Sequence, residues 1–233
     1  MVILLSSLLL AGCEDDKKPA SPEEARNIAF IGFLQKDVLD SAVLSLPPLT
    51  AEQRQAFGPF AADYEIITGF HNSLSEAMDI YFPQIMGQMQ RFETLPNLQR
   101  NWQAVFAVRN LLNTEVKGSL DRAYQSALAS RQRLQQPDSV KTVFDKVFVR
   151  SVEKPTASVR ELLQILDESL DIMENMGSFL DDNKEHITFS GILVRAKTPA
   201  MQQELDTLMK EFNFRADALQ KQLAIFRGQL SRD

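Results

Sequence analysis

The chain has one cysteine, two histidines, one tryptophan and nine glycines among its 233 residues. A single cysteine excludes a disulfide framework, a thiolate zinc site and a CxxC redox centre. Two histidines supply a metal site or a catalytic triad poorly. No Gly-rich phosphate loop, G-x-S-x-G elbow or H-E-x-x-H helix is present. Basic charge is in deficit, with 25 Lys and Arg against 31 Asp and Glu and a net charge of −6. That balance argues against nucleic acid, whose phosphates need a basic face. What remains is an ordinary globular composition, 44% hydrophobic and 24% charged. A single core of this size buries most of its apolar surface without staples.

The N-terminus is the most informative stretch. Residues 1–10 are apolar apart from two serines. They fall well short of the roughly 20 residues a spanning helix needs, but they suit the h-region of a secretory signal. Leu10-Ala11-Gly12-Cys13 then resembles the lipobox of bacterial lipoproteins. The resemblance implies that Cys13 takes a diacylglyceryl thioether, that cleavage precedes it, and that its new amine is acylated. Two or more acyl chains make a stable anchor where one is marginal. One feature departs from the pattern: no Lys or Arg precedes the apolar run, and a start upstream of Met1 would supply the missing basic region. Residues 14–22 form a charged, Pro-broken linker of about 30 Å at most, which holds the following domain close to a membrane. By resemblance to the sorting rule of Gram-negative lipoproteins, Asp directly after the cysteine retains a protein in the inner membrane. Here that residue is Glu14, so the outer membrane is favoured.

From residue 23 to residue 233 the chain reads as a single helical domain. After Pro22, Ile28, Ile31, Gln35, Val38 and Ala42 trace a stripe that Pro47-Pro48 ends. Thr50-x-x-Gln53 is a capping-box sequence opening the next helix. Its stripe runs Phe57, Phe60, Tyr64, Ile67, His71, Leu74, Met78, Tyr81, Ile85, Met89 and Phe92, with Gly58-Pro59 and Pro83 expected to kink or interrupt it. Beyond Pro96 another face carries Trp102, Val105, Val108, Leu112, Val116, Leu120, Ala123 and Ala127. A short helix capped by Asp138 holds Val140, Phe144, Val147 and Phe148. Pro155 separates it from Val159, Leu163, Leu166, Leu170, Met173 and Leu180. The last stripe is Met201, Leu205, Leu208, Phe212, Ala216, Leu219, Leu223, Phe226 and Leu230. Near residues 186–195 the helical period breaks into β-branched residues around Ser190-Gly191, the pattern of a small hairpin. The expected fold is all-α: an elongated bundle of long antiparallel helices with kinks, plus that hairpin.

Several passages carry a family likeness. They are Ala29-Phe30-Ile31-Gly32-Phe33-Leu34-Gln35, then Leu49-Thr50-Ala51-Glu52-Gln53 leading to Phe57-Gly58-Pro59-Phe60 and Asp63-Tyr64. Ala77-Met78-Asp79 and Val143-Phe144-Asp145-Lys146-Val147-Phe148 follow in the same order. Together they resemble the YiaF-like family of Gram-negative lipoproteins, built around a domain of unknown function. The resemblance runs from about Ala29 to Val194. It implies a helical periplasmic domain on a lipid anchor, and it brings no activity, cofactor or site residue.

Chemistry beyond Cys13 is weakly signalled. His71 sits on an apolar stripe with Thr68 and Ser75 as its only one-turn neighbours able to ligate, which fits a hydrogen-bonded structural histidine. Asp181, Asn183 and Glu185 begin like a calcium loop, but His186 and Ile192 stand where Gly and a bidentate Glu are required. Met86-x-x-Met89 and Met173-x-x-Met176 could offer soft sulfur to Cu(I), yet Met89 and Met173 lie on core stripes where thioethers fill gaps. Glu76 and Asp79 are one turn apart, a common spacing on exposed helix faces. No catalytic, cofactor-binding or metal residue is therefore assigned, and lipidation at Cys13 is the one site.

The leading expectation is a non-enzymatic, lipid-anchored envelope lipoprotein whose helical module meets another envelope protein. Long seams close either within one chain or between copies in a homo-oligomer. The alternative is a carrier of an apolar ligand between helices, and cavity volume separates the two. A dry core at native density would sink the carrier, and several hundred Å³ would support it. A hydrolase would need His71 or His186 within reach of a Ser and a carboxylate in a cleft.

Overall fold

The computed structural model describes residues 21–190 and 193–230. The expected signal segment, Cys13 and most of the expected linker lie outside the described residues, as do Gly191, Ile192 and residues 231–233. The first helix, α1 (Pro22–Phe33), is opened by Ser21, whose Oγ accepts from the Glu24 N–H at 3.1 Å. It runs directly into a π-helical segment, Leu34–Leu39. Of the expected stripe Val38 is buried, but most of the buried face is a different one. Ile28 is 61% exposed, and the buried side chains are Phe30, Phe33, Leu34 and Val38. They turn inward because aromatic partners await them. Phe30 lies 5.3 Å from Phe60 in a stacked pair, and Phe33 meets Tyr64 edge-on at 5.1 Å.

The helix α2 (Ala51–Phe57) carries the anticipated capping box, with the Thr50 N–H donating to Gln53 Oε1 at 2.9 Å and the Gln53 N–H to Thr50 Oγ1 at 3.2 Å. It stops at Gly58, which adopts φ 57°, a left-handed conformation where a side chain would be strained. The next helix, α3 (Phe60–Met89), continues unbroken past Pro83. After a 3₁₀ turn come α4 (Leu95–Asn101) and α5 (Gln103–Asn110), then a second π segment (Leu111–Val116) and α6 (Lys117–Arg131).

That second π segment has a cause in the sequence. The buried residues Val108, Leu112, Val116 and Leu120 are spaced by four each time. Each such step overshoots a 3.6-residue turn by about 40°. A segment bonded i to i+5 takes up the excess and keeps the stripe on one face. The same logic corrects the expected break at Pro155. Val140, Phe144, Phe148, Val152 and Thr156 are all buried at steps of four. Accordingly α7 (Asp138–Phe148), a third π segment (Val149–Glu153) and α8 (Lys154–Asp182) form one continuous helix. Asp138 is its first residue rather than its cap, which is Pro137. Arg150, in that π segment, donates to the Leu39 carbonyl at 2.6 Å and the Ser41 carbonyl at 2.9 Å, closing the end of the first π segment.

The strands β1 (Ile187–Ser190) and β2 (Leu193–Ala196) pair antiparallel, Ile187 opposite Ala196, where the hairpin was expected. The final helix, α9 (Pro199–Leu230), packs along α8. The fold is thus all-α with one small hairpin. The helix α4 lies tightly on α8: a Cβ placed on Gly177 would stand 2.3 Å from Cβ of Trp102, so only glycine fits there.

Candidate functional site

Among the concavities formed by the described residues, one is almost wholly apolar. The helix α3 packs on α5 and α6, and α9 packs on α8. Between these two groups lies a trench of 460 Å³. Its first wall is the second half of α3, with Leu74, Met78, Phe82, Ile85, Met86 and Met89. Val108, Leu112 and Val116 come from α5 and the following π segment. The floor is α8 from Val159 to Met173, and Phe212, Ala216 and Leu219 close the far side from α9. Nothing titratable lines it. Its one polar side chain, Ser169, already donates its hydroxyl to the Ile165 carbonyl at 2.7 Å.

The rim is exposed and sulfur-rich: Met78, Met86, Met89 and Phe82 are 37%, 42%, 38% and 51% accessible. Thioether chains are flexible and polarizable, so such a rim adapts to what it touches. The two methionine pairs of the sequence are thereby placed. Met86, Met89 and Met173 line the trench, and Met176 is buried in the core.

A larger groove of 690 Å³ runs along the outer side of α8 and α9. Most of its charges are paired. Arg109 pairs with Asp167 at 2.8 Å, Asp171 at 2.9 Å and Glu174 at 3.4 Å, and Arg215 pairs with Glu168 at 2.6 Å. The guanidinium of Arg109 holds the Asp167 carboxyl below its usual range, against the opposing pull of burial. Lys210 and Glu211 complete its charged lining.

His71 is half-buried, and its Nε2 donates to the Ser151 backbone carbonyl at 2.6 Å. Burial lowers its pKa, with the bond to Ser151 acting in the opposite direction. The neighbouring Ser151 hydroxyl is fully buried and finds no partner among the described residues. The arrangement a hydrolase requires, an imidazole on a reachable hydroxyl, is not formed there. The end of α8 reads as a helix terminus, with Lys184 paired to Asp181 at 3.3 Å. No group of three His, Cys, Asp or Glu among the described residues is placed to hold a metal. No helix among them is long and apolar enough to cross a membrane.

The individual residues of the trench were in the sequence, but their grouping was not. Leu74, Met78, Ile85, Met89, Leu166, Met173 and Phe212 all fell on stripes read as core. A usable signal was the breadth of the apolar arc in the second half of α3, where Met78, Ile80, Tyr81, Phe82, Ile85, Met86 and Met89 cover more than one face.

The family model described as "Protein of unknown function (DUF3053)" matches residues 1–226. The uncharacterized protein YiaF of Escherichia coli K12 is 25% identical over 209 residues, covering 90% of this chain and 85% of that protein. The YiaF protein of Shigella flexneri matches to the same extent. No solved structure matches.

Proposed function

Because the chain belongs to the DUF3053 family, whose members have no assigned function, its activity must be argued from geometry, and we propose that it binds an apolar ligand in the interhelical trench. The protein in this reading is a non-enzymatic lipoprotein, anchored through Cys13 and facing the periplasm, with the outer membrane favoured. The single observation that carries the proposal is a 460 Å³ space with apolar walls and no free side-chain hydrogen-bond donor. Well-packed cores leave few voids larger than a water, whereas small-molecule sites span about 300–1,000 Å³. That volume reverses the order in which the sequence ranks an interaction module and a carrier. The lipobox likeness at Cys13 and the short linker supply the envelope setting.

The test is native mass spectrometry of the full chain carrying Cys13→Ser, freshly purified without detergent. The expected result is an added mass on the order of several hundred daltons, matching a drug-sized occupant, which disappears on denaturation. A bare polypeptide mass, from protein that also takes up no hydrophobic probe, would overturn the reading and return the search to crosslinked envelope partners.

A further inference from the structure

We infer that the trench accommodates a single long, unbranched hydrocarbon chain lying along α3 and α8, with any polar group it carries left outside in water. This rests on the apolar-ligand reading and adds a shape to it. The walls run from Leu74 to Met89 on α3 and from Val159 to Met173 on α8. At about 1.5 Å per helical residue these are lengths of roughly 21–22 Å. Spread over that length, 460 Å³ leaves a mean cross-section of roughly 22 Å². Carbons that keep about 4 Å from their neighbours need roughly 16 Å² per chain. A helix with side chains is about 10 Å across and needs roughly 80 Å². A single alkyl chain fits wholly inside such a section, whereas a helix would have to lie over the opening with only its side chains entering.

Polarity points the same way. A ligand with carbonyls or carboxylates inside would leave them without a donor, because Ser169 has already committed its proton to Ile165 and can offer only an acceptor oxygen. An alkyl chain carries nothing that needs pairing. Single bonds of about 1.5 Å in a zigzag advance roughly 1.25 Å per carbon, so the trench matches about seventeen carbons. The exposed thioethers of Met78, Met86 and Met89 along α3 form a rim over which a chain can slide in sideways, without its headgroup crossing apolar surface. Two sources share this chemistry, an acyl chain from envelope lipid and a chain of the anchor predicted on Cys13.

The test uses the full chain with Cys13→Ser and cis-parinaric acid as the fluorescent probe, displaced by n-alcohols of about eight to about eighteen carbons. Each added methylene should tighten displacement about fourfold, levelling off at about seventeen carbons. Replacing the hydroxyl by sulfate or trimethylammonium at constant length should change affinity by less than about threefold. Two variants, Leu166→Phe and Ala216→Phe, fill the trench from its floor and its far side, and each should weaken probe binding at least tenfold with its cooperative thermal transition retained. Binding that the filling variants abolish but that ignores chain length, or that favours a compact ring system such as 1-anilinonaphthalene-8-sulfonate, overturns the chain inference and leaves the apolar-ligand reading standing. No binding by any probe to the folded protein overturns both. The source follows from the acylated wild type. If it resists parinaric acid while the Cys13→Ser chain accepts it, the protein's own anchor is the occupant. If both accept it alike, the chain comes from the surrounding lipid.

Discussion

His71 Nε2 donates at 2.6 Å to the carbonyl of Ser151, the residue four positions before Pro155. In a helical ladder that carbonyl would take the N–H of residue 155, and proline has none. A side chain from α3 thus serves a carbonyl whose α-helical donor Pro155 cannot supply, and it ties α3 to the π segment of the long helix from Asp138 to Asp182. The expected consequence is coupling between the two positions. Replacing His71 with Leu should cost about 1–3 kcal/mol, the usual penalty for an abandoned buried carbonyl. Adding Pro155→Ala to it should return part of that loss by restoring a donor. Denaturant midpoints of the four proteins test this, and strictly additive free energies would show that the two positions are not linked.

Burial pushes the His71 imidazole below its ordinary value of 6.5. The folded state therefore binds fewer protons than the unfolded chain in the interval between the lowered folded value and 6.5. Stability from this group is complete above about pH 6.5 and declines as the solution is acidified toward the folded value. Unfolding by urea between about pH 7.5 and pH 5 should show the decline, and His71→Leu should flatten it. The carboxylates Asp145 and Asp167, whose values are lowered, lose their contributions only at more acid pH. A wild-type curve level down to pH 5 would count against the buried neutral imidazole.

Gly177→Ala is predicted to be among the most damaging small substitutions in the chain. Its Cβ would fall 2.3 Å from Cβ of Trp102 and 3.3 Å from Cδ1 of Leu98, so α4 must move off α8. Overpacking of this kind costs about 1–3 kcal/mol. Trp102 is the lone tryptophan of the chain, so its fluorescence reports directly on the displaced contact. An unshifted emission spectrum and an unchanged Tm would show that the helices yield freely.

Cys13→Ser should release the protein into the soluble periplasmic fraction, since the acyl chains are the only anchor the sequence predicts. Membrane retention of the variant after a high-salt wash would argue for a second attachment.

The fold was largely legible because the apolar stripes are long. From Val105 to Ala127 the stripe read from sequence is the stripe that is buried, and the hairpin falls where the helical period fails. The errors have physical reasons. Pro155 reads as a terminator because proline ends most ladders, and the sequence does not announce that a π segment precedes it and that His71 from another helix serves the stranded carbonyl. Ile28 reads as core because it is apolar, but Phe30 and Phe33 have aromatic partners on α2 and α3, and those tertiary contacts decide which face turns inward. The trench was invisible for a different reason. Periodicity says that Met78, Leu166 and Phe212 point inward; it does not say whether anything meets them there.

The π segments also determine where the chain can change its length. Removing one residue from an ordinary helix turns everything downstream by about 100° and carries its apolar face into water. Within Leu111–Val116 the wide turn already holds a surplus residue, so a deletion there lets the segment relax to an α-helix while Leu120, Ala123 and Ala127 keep their heading. The same holds for Leu34–Leu39 and Val149–Glu153. Homologous chains that differ by a single codon should carry the gap at these three places, and at the middle one the gap would also reshape the wall that Leu112 and Val116 give to the trench.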